Sequence, residues 1–417
     1  MVFIIMVKIY LVGGAVRDKI LGREIKERDF VVVGATPEFM RAQGYKQVGR
    51  DFPVFLHPVT GEEYALARKE RKQGSGYHGF QCFFSPDVTL EEDLVRRDLT
   101  INAMASDESG TIIDPCNGLN DIKNKKLKHI SKAFCEDPLR VLRVARFGAR
   151  YYSDGFRVDR ETQILLMDMV RGGELNDLTT SRVWQELNKS LEEDRPDLFI
   201  KILRHCGALH VLFPEIDALF GVPNHIAAHP EIDTGIHTLL SLRQAVRLTK
   251  DLDVRFAVLC HDLGKGDTNP CTWPKHTNHE TYSVERITEF CKKYPVPVIY
   301  QELAQIFAKI HTLFHDVDTL TVNAKLRILD NMDVFRRPGR MVKIINAATA
   351  ESRGRLTHEQ DPYPQAKIWN DIFRKAASIN VQELQKQGLV GAALGEAIRI
   401  KRLEAISKLS SKCINTM

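Results

Sequence analysis

KIYLVGGAVRDKILG (residues 8–22), followed closely by ERDFVVV (residues 27–33), decides how this chain begins. The apolar pattern KIYLV predicts a strand ending in Gly13-Gly14. A short helix then runs to Gly22, and Phe30-Val31-Val32-Val33 reads as a buried strand. Strand, glycine turn, helix and strand in this order open an α/β unit. Two glycines between a strand and a helix let a phosphate approach the bare backbone and the helix N-terminus. A tight structural turn explains such a pair equally well. Glu27-Arg28-Asp29, at the mouth of the next strand, adds weight. The two-residue period of a strand places both carboxylates on one face. Adjacent carboxylates repel unless a cation neutralises them, and hard oxygen donors suit Mg²⁺.

Outward from this start, Val54–His57 and Glu63–Arg68 are strand candidates, and Pro58 and Gly61 between them suit a hairpin. Lys72–Gly79 (KQGSGYHG) reads as a mobile loop. LVRRDLTINA (residues 94–103) sets a polar cluster before an apolar run, and its functional reading is an arginine on triphosphate and an aspartate on ribose. After Asp137-Pro138 the strand signals largely disappear. Helical periodicity dominates to the end, with breaks near Gly172-Gly173, Pro223, Pro274, Pro295-Pro297 and Pro362-Pro364. EDPLRVLRVARF (residues 136–147) opens a helix with Asp137 expected as N-cap and Pro138 at the first helical position. On that helix Arg140, Arg143, Arg146 and Arg150 share an arc of roughly 120°, with Val141, Leu142, Val144 and Ala145 on another face. A solvated face is the plain reading of such a stripe. Its exclusive use of arginine favours anion or base recognition, because the planar guanidinium forks onto phosphates and base edges.

Length and composition set bounds. A chain of 417 residues with 43% hydrophobic content accommodates roughly three ordinary globular domains. The net charge of +5 is too small to identify a nucleic-acid partner. Three basic clusters are more informative: Arg68, Lys69, Arg71 and Lys72; Lys123, Lys125, Lys126, Lys128 and Lys132; and the tail from Arg399 to Lys412. Eight cysteines without any Cys-x-x-Cys spacing read as reduced thiols in a cytoplasmic protein. The opening MVFIIMV lacks a basic leader and a cleavage site and reads as no signal peptide, with Met6 a second candidate start. No apolar run approaches the length of about 18 residues needed to span a membrane, so no membrane partner is expected.

A second constellation lies in FAVLCHDLGKG, where His261-Asp262 closes an apolar helix ahead of Gly264. His237 stands upstream, and His276, His279, His311 and His315 stand downstream. A lone histidine here would be a satisfied core residue. Neutral imidazoles gathered with a carboxylate suit a transition-metal or magnesium site that activates water.

In order, GGAVRDKILG, ERDFVVVG, VGRDFPVFLH, EYALAR, RRDLTINA, IDPCNGL and EDPLRVLRVARF resemble the bacterial multifunctional CCA-adding enzymes, class II tRNA nucleotidyltransferases. The likeness continues through FPEIDALFGVP, HPEIDTGIH and CHDLGKG, the last resembling the HD phosphohydrolases. It implies an α+β chain with an N-terminal nucleotidyltransferase head (1–137), a helical nucleotide- and RNA-binding neck and body (138–227), an HD domain (228–330) and a helical tail (331–417). It implies Gly14 and Arg17 on the incoming nucleotide, Glu27 and Asp29 on magnesium, Arg97, Arg143 and Arg146 on the triphosphate of CTP or ATP, and Asp137 with Arg140 reading the base. Cytosine and adenine both offer an amino donor beside a ring-nitrogen acceptor, so an aspartate acceptor with an arginine donor admits them and rejects uracil and guanine. The family's metal motif is usually Asp-x-Asp, and Glu27 departs from it. In the HD region the resemblance implies a site on His237, His261, Asp262 and His311, with phosphatase, 2′-nucleotidase and 2′,3′-cyclic phosphodiesterase activities and a nickel preference for the first. Asp316 and Asp318 are candidates for its closing carboxylate. The implied partners are tRNA, ATP and CTP, acting on a monomer or homodimer. Three rivals stand beside this reading: a poly(A) polymerase, which usually lacks the HD domain; a much longer uridylylating regulator; and an RNA-binding protein with decayed sites.

Overall fold

The alternating pattern of KIYLV folds as β1 (Lys8–Val12), and the apolar run after Arg28 folds as β2 (Asp29–Val33). They pair antiparallel with Val12 opposite Asp29, so the end of the glycine turn and the start of the acidic strand share one edge. The computed structural model describes residues 6–48, 54–72 and 80–414. The chain divides into two units, Met1–Leu212 and Phe213–Met417.

In the first unit β3 (Lys46–Val48), β4 (Val54–Leu56) and β5 (Glu63–Leu66) follow, and the expected turn at Pro58–Gly61 joins β4 to β5 antiparallel. β5 lies parallel to β2, which makes the sheet mixed. A ribbon of β6 (Arg68–Lys72) and β7 (Phe80–Phe84) stands apart from it. The short β8 (Ala105–Ser106) and β9 (Ile112–Ile113) complete the order β3-β4-β5-β2-β1-β8-β9. Adjacent residues serve opposite faces. Val31 joins Val12, Leu90, Leu94 and Ala105 in one core cluster, while Val32 joins Met40, Phe55 and Leu66 in the other. Each buried valine or leucine contributes on the order of 1.5–3 kcal/mol. The loop expected at Lys72–Gly79 falls from residue 73 onward outside the described residues, as do residues 1–5 and 49–53.

Beyond residue 137 the described chain is helical apart from the two-residue strand Arg157–Val158. The helix expected at Asp137 begins later, at Arg140–Tyr151, with Leu139 as its N-cap. Asp137 sits one turn earlier: its side chain accepts from the Leu139 N–H at 3.1 Å and its carbonyl from the Arg140 N–H at 3.0 Å. Proline 138 therefore belongs to a capping turn and not to the helix. Val141, Leu142, Val144 and Ala145 are wholly buried, and the helix packs on Thr180–Glu192 and Pro196–His205.

In the second unit the helix Leu252–Cys260 is buried from Asp253 onward: its apolar residues fill the core, while Asp253 pairs with Lys343 and Arg255 donates to the Thr249 carbonyl at 2.8 Å. Thr234–Leu248, Val298–His315 and Gly339–Arg353 surround it. The later helix Gln365–Ala377 returns to this core: Trp369 stacks on Phe314 at 4.6 Å and donates its Nε1–H to the Phe314 carbonyl at 2.8 Å. None of the described helices is long and apolar enough to cross a membrane.

Candidate functional site

Gly13 has φ +68, a left-handed turn that glycine adopts without strain, and its N–H donates to the Met104 carbonyl at 3.0 Å. A Cβ there would stand 2.8 Å from an Arg97 guanidinium nitrogen, so the missing side chain is what lets Arg97 lie over the turn. Asp93, buried, fixes Arg97 at 3.2 Å and Arg96 at 2.9 Å. Across the β1–β2 edge, loss of surrounding water pushes the Asp29 carboxyl up, Arg97 pulls it down, and the Glu27 carboxylate raises it again. Asp29 thus feels both the Glu27 carboxylate and the Arg97 guanidinium, which supplies two hard oxygen donors with a cation at hand. That donor set fits Mg²⁺, whose charge would relieve the crowding at Asp29.

Arg17 lies beneath Gly14, where a Cβ would be 3.3 Å from its guanidinium. It is only 3% exposed: it donates to Asp18 at 2.9 Å and to Asn102, and it lies 4.9 Å from the centre of the Tyr151 ring. Asp98 is buried too, accepting from the Leu99 N–H, from Asn102 and, at 2.7 Å, from Arg143. Burial works against its ionisation, but Arg143 and these donors together hold the carboxyl far below the ordinary range. The arginine stripe is not uniform. Arg143 faces Asp98, whereas Arg146, 8% exposed, turns to Glu186 at 2.7 Å, and Arg140, 7% exposed, donates to the carbonyls of Arg96 at 2.6 Å and Ala133 at 2.9 Å. Arg17, Arg143 and Arg146 all lie within 5.5 Å of the Phe147 ring centre. Arg182 grips both Asp137 oxygens, at 3.1 and 2.8 Å.

The second unit gathers His237, His261, Asp262 and His311, and adds His279 and Glu351. His261, His279 and His311 each place Nδ1 at 2.7, 2.7 and 2.9 Å from a backbone carbonyl three residues earlier. A carbonyl only accepts, so Nδ1 carries the proton and Nε2 keeps its lone pair for the interior. His237 is set by another partner, with Nδ1 2.9 Å from Glu231 and Nε2 3.6 Å from Glu351. Gly264 lets this geometry form: a Cβ there would lie 2.3 Å from the His279 carbonyl and 2.3 Å from the Ser283 nitrogen. Burial opposes the charge on Asp262, yet His261 and Lys265 outweigh it and hold the carboxyl well down. His279 is shifted down by burial, toward the neutral ligand form. Asp316 follows the end of its helix and, like Asp318, is exposed. Two glutamates meet the histidines instead: Glu351, some way along the chain in Gly339–Arg353, stands with His237 and His261, and Glu231 stands with His229 and His237. His261 Nε2, both Asp262 oxygens and Glu351 Oε2 are buried without an aligned hydrogen bond, although charged partners stand nearby. Converging, misaligned lone pairs of this kind fit a divalent cation.

Three family models match: the Poly A polymerase head domain over residues 9–128, the probable RNA- and SrmB-binding site of polymerase A over 155–220, and the HD domain over 234–337. The chain thus joins a polymerase-type nucleotidyltransferase head to RNA-binding and HD domains. This order is consistent with a bacterial CCA-adding enzyme carrying an HD domain, and the fold is shared with solved CCA-adding enzymes. A CCA-adding enzyme in complex with CTP is 22% identical, with 96% of this chain and 86% of that chain covered and a TM-score of 0.62. A tRNA nucleotidyltransferase complexed with a primer tRNA and an incoming ATP analog is 23% identical, covering 88% and 96%, with a TM-score of 0.57. The Thermotoga maritima CCA-adding enzyme complexed with tRNA-CCA is 21% identical, covering 98% and 91%, with a TM-score of 0.60.

Proposed function

We propose that this protein adds and repairs the 3′-terminal CCA of tRNA, using CTP and ATP without a nucleic-acid template. The observation that carries the reading is the Glu27–Asp29 pair beside Arg97 at the glycine turn, on a head whose sequence matches the polymerase family. The tRNA 3′-oxygen forms a bond to the α-phosphorus, the bond to the bridging oxygen breaks, and pyrophosphate leaves. Mg²⁺ held by Glu27 and Asp29 would lower the hydroxyl pKa and neutralise developing charge. Gly14 and Arg17 shape the nucleotide floor, while Arg97 and Arg143 hold the triphosphate, with Arg146 behind them. Asp137 and Arg140 read the base edge. Because Arg182 holds Asp137 and two carbonyls hold Arg140, base reading requires exchanging those partners for the nucleotide. The domain limits 1–137, 138–227, 228–330 and 331–417 belong to the same reading.

The HD region is read as a metal-dependent phosphohydrolase acting on phosphomonoesters, 2′-nucleotides and 2′,3′-cyclic phosphates, with Ni²⁺ a candidate ion for the first. His237, His261, Asp262 and His311 would hold the cation, with His279 and Glu351 added on geometry. Bound there, it would supply an activated water. Lys265, 2.8 Å from Asp262 and 3.0 Å from Asn224, keeps a cationic group beside the donors.

The transfer reading is tested with Asp29→Ala. C and A addition should both disappear while tRNA binding, measured by filter retention, stays within about twofold, since binding rests on basic surfaces. Wild-type turnover in this variant would remove the pair from the mechanism.

A further inference from the structure

We propose that a cavity on the far side of the helix Val298–His315 binds a nucleoside monophosphate, at a site separate from the histidine–carboxylate centre. The cavity measures about 310 Å³, which falls at the lower end of the range of roughly 300–1,000 Å³ for small-molecule sites. Glu302, Ile306, Lys309 and Ile310 line it from this helix, at the spacing of one helical face. At about 100° per residue, His311 falls roughly 160–180° from Lys309 and Glu302, so the cavity and the proposed metal ligand lie on opposite sides of one helix.

The facing wall holds Arg336, Arg337 and Arg340, at the start of Gly339–Arg353. The N-terminal end of a helix carries partial positive charge, so cations are unfavourable there and anions are favoured. No acidic residue stands in the first turn of this helix to offset the three arginines. Among the lining residues, Glu302 and Asp333 oppose four cations, which leaves two positive charges over. The pairing that exists is loose. A single Glu302 oxygen, Oε2, takes both Arg337 and Arg340. Asp333 stands 3.8 Å from each of these and 3.9 Å from Arg336, beyond hydrogen-bond reach. Lys309 is exposed and pairs with no carboxylate among the described residues. The surplus matches the charge of about −1.5 to −2 on a phosphomonoester near neutral pH, whose oxygens guanidinium forks take two at a time. A nucleic-acid strand offers only one charge per phosphate.

The rest of the lining suits a nucleoside. Val284, Ile306 and Ile310 form an apolar wall against which a base can lie. Gln305 donates its amide to Thr288 at 2.8 Å, which leaves its carbonyl oxygen as the acceptor for an exocyclic amine. The site needs neither of the two proposed activities, only the fold of the second unit.

Hydrogen–deuterium exchange mass spectrometry on the full chain tests this, with EDTA present so that no metal centre holds phosphate, and with AMP as the probe. AMP should slow exchange in segments 300–310 and 333–341. In the double variant Lys309→Glu with Arg336→Glu, the AMP concentration giving half of that protection should rise by roughly tenfold or more. Both side chains are exposed, so circular dichroism should not change. Slowing confined to residues 13–18 and 140–150 of the parent chain overturns the site, and that readout does not depend on how the variant folds. Inorganic phosphate protecting as well as AMP overturns a nucleoside ligand. Protection by tRNA without any by AMP overturns it too, and makes the face an RNA contact.

Discussion

Asp98 shows how much of the head rests on single charges. Its folded carboxyl is depressed despite burial, because Arg143, Asn102 and the Leu99 N–H favour the ionised form. A depressed acid contributes stability that is fully present above the ordinary carboxylate pKa of about 4 and is lost as pH falls through that range toward the folded value. Asp98→Asn should cost about 2 kcal/mol at pH 7, less than the roughly 3–5 kcal/mol of a fully buried pair, because the Arg143 side chain keeps 35% of its exposure. Thermal melts should show a deficit of about 4–8 °C at pH 7 that narrows below about pH 4. An equal deficit at both pH values would mean that packing, not charge, holds this position. Arg140→Ala should relax selection among the four nucleoside triphosphates by about 1–3 kcal/mol per lost base contact, with a smaller change in overall affinity. Unchanged selectivity with uniformly weaker binding would make Arg140 a phosphate or structural contact. At this scale, the sequence exposed what is local. Glu27 and Asp29 are two residues apart and could be read directly, although the strand begins only at Asp29 and Glu27 lies in the segment before it. Glu351 could not, because 39 residues and a separate helix lie between it and His311, and no periodicity links a glutamate to a histidine across a helical bundle. Asp93 was hidden for the opposite reason: an acid in the first turn of a helix reads as a dipole partner, and only the fold turns it onto Arg96 and Arg97.

Among elements, those with an apolar period were legible, and the ribbon Arg68–Lys72 with Phe80–Phe84 was not. Its first strand is RKERK, which offers no alternation to detect and reads as a solvated basic run. The start of Arg140–Tyr151 slipped for a related reason: Asp137 does cap backbone, but as a separate turn two residues ahead. Helix approach at the proposed metal centre gives a sharper expectation. His279 reaches Asp262 only because Gly264 lets the start of His279–Lys293 come close. Gly264→Ala should push that helix outward and lower hydrolysis of 2′,3′-cyclic nucleotides by tenfold or more, as displacing a ligand-orienting shell does. CCA addition should remain within about twofold. Full hydrolysis in this variant would show that His279 is not needed at its observed place.

For the whole molecule, the α+β order was legible because strand signals stop near residue 137 and helical periods take over, as the described elements do. The role of the last part was not. Trp369 and Glu351 lie in what reads as a helical tail, yet both pack into the second unit's core. The proposed Glu27–Asp29 site falls in the first unit and the histidine–carboxylate cluster in the second, so the two proposed chemistries are expected to be separable. His261→Ala should abolish phosphohydrolysis, leave CCA addition within about twofold and leave the melting temperature of the first unit unchanged. Parallel loss of both activities with a large melting shift would make His261 a core histidine. The head's own activity is decided by the 3′ end that it builds. Incubating the protein with Mg²⁺, all four nucleoside triphosphates and tRNA that ends at its discriminator base, then sequencing the 3′ ends, tests it most directly. The expected product ends in C-C-A with no further extension, and a run of adenosines added without cytidine would overturn CCA addition.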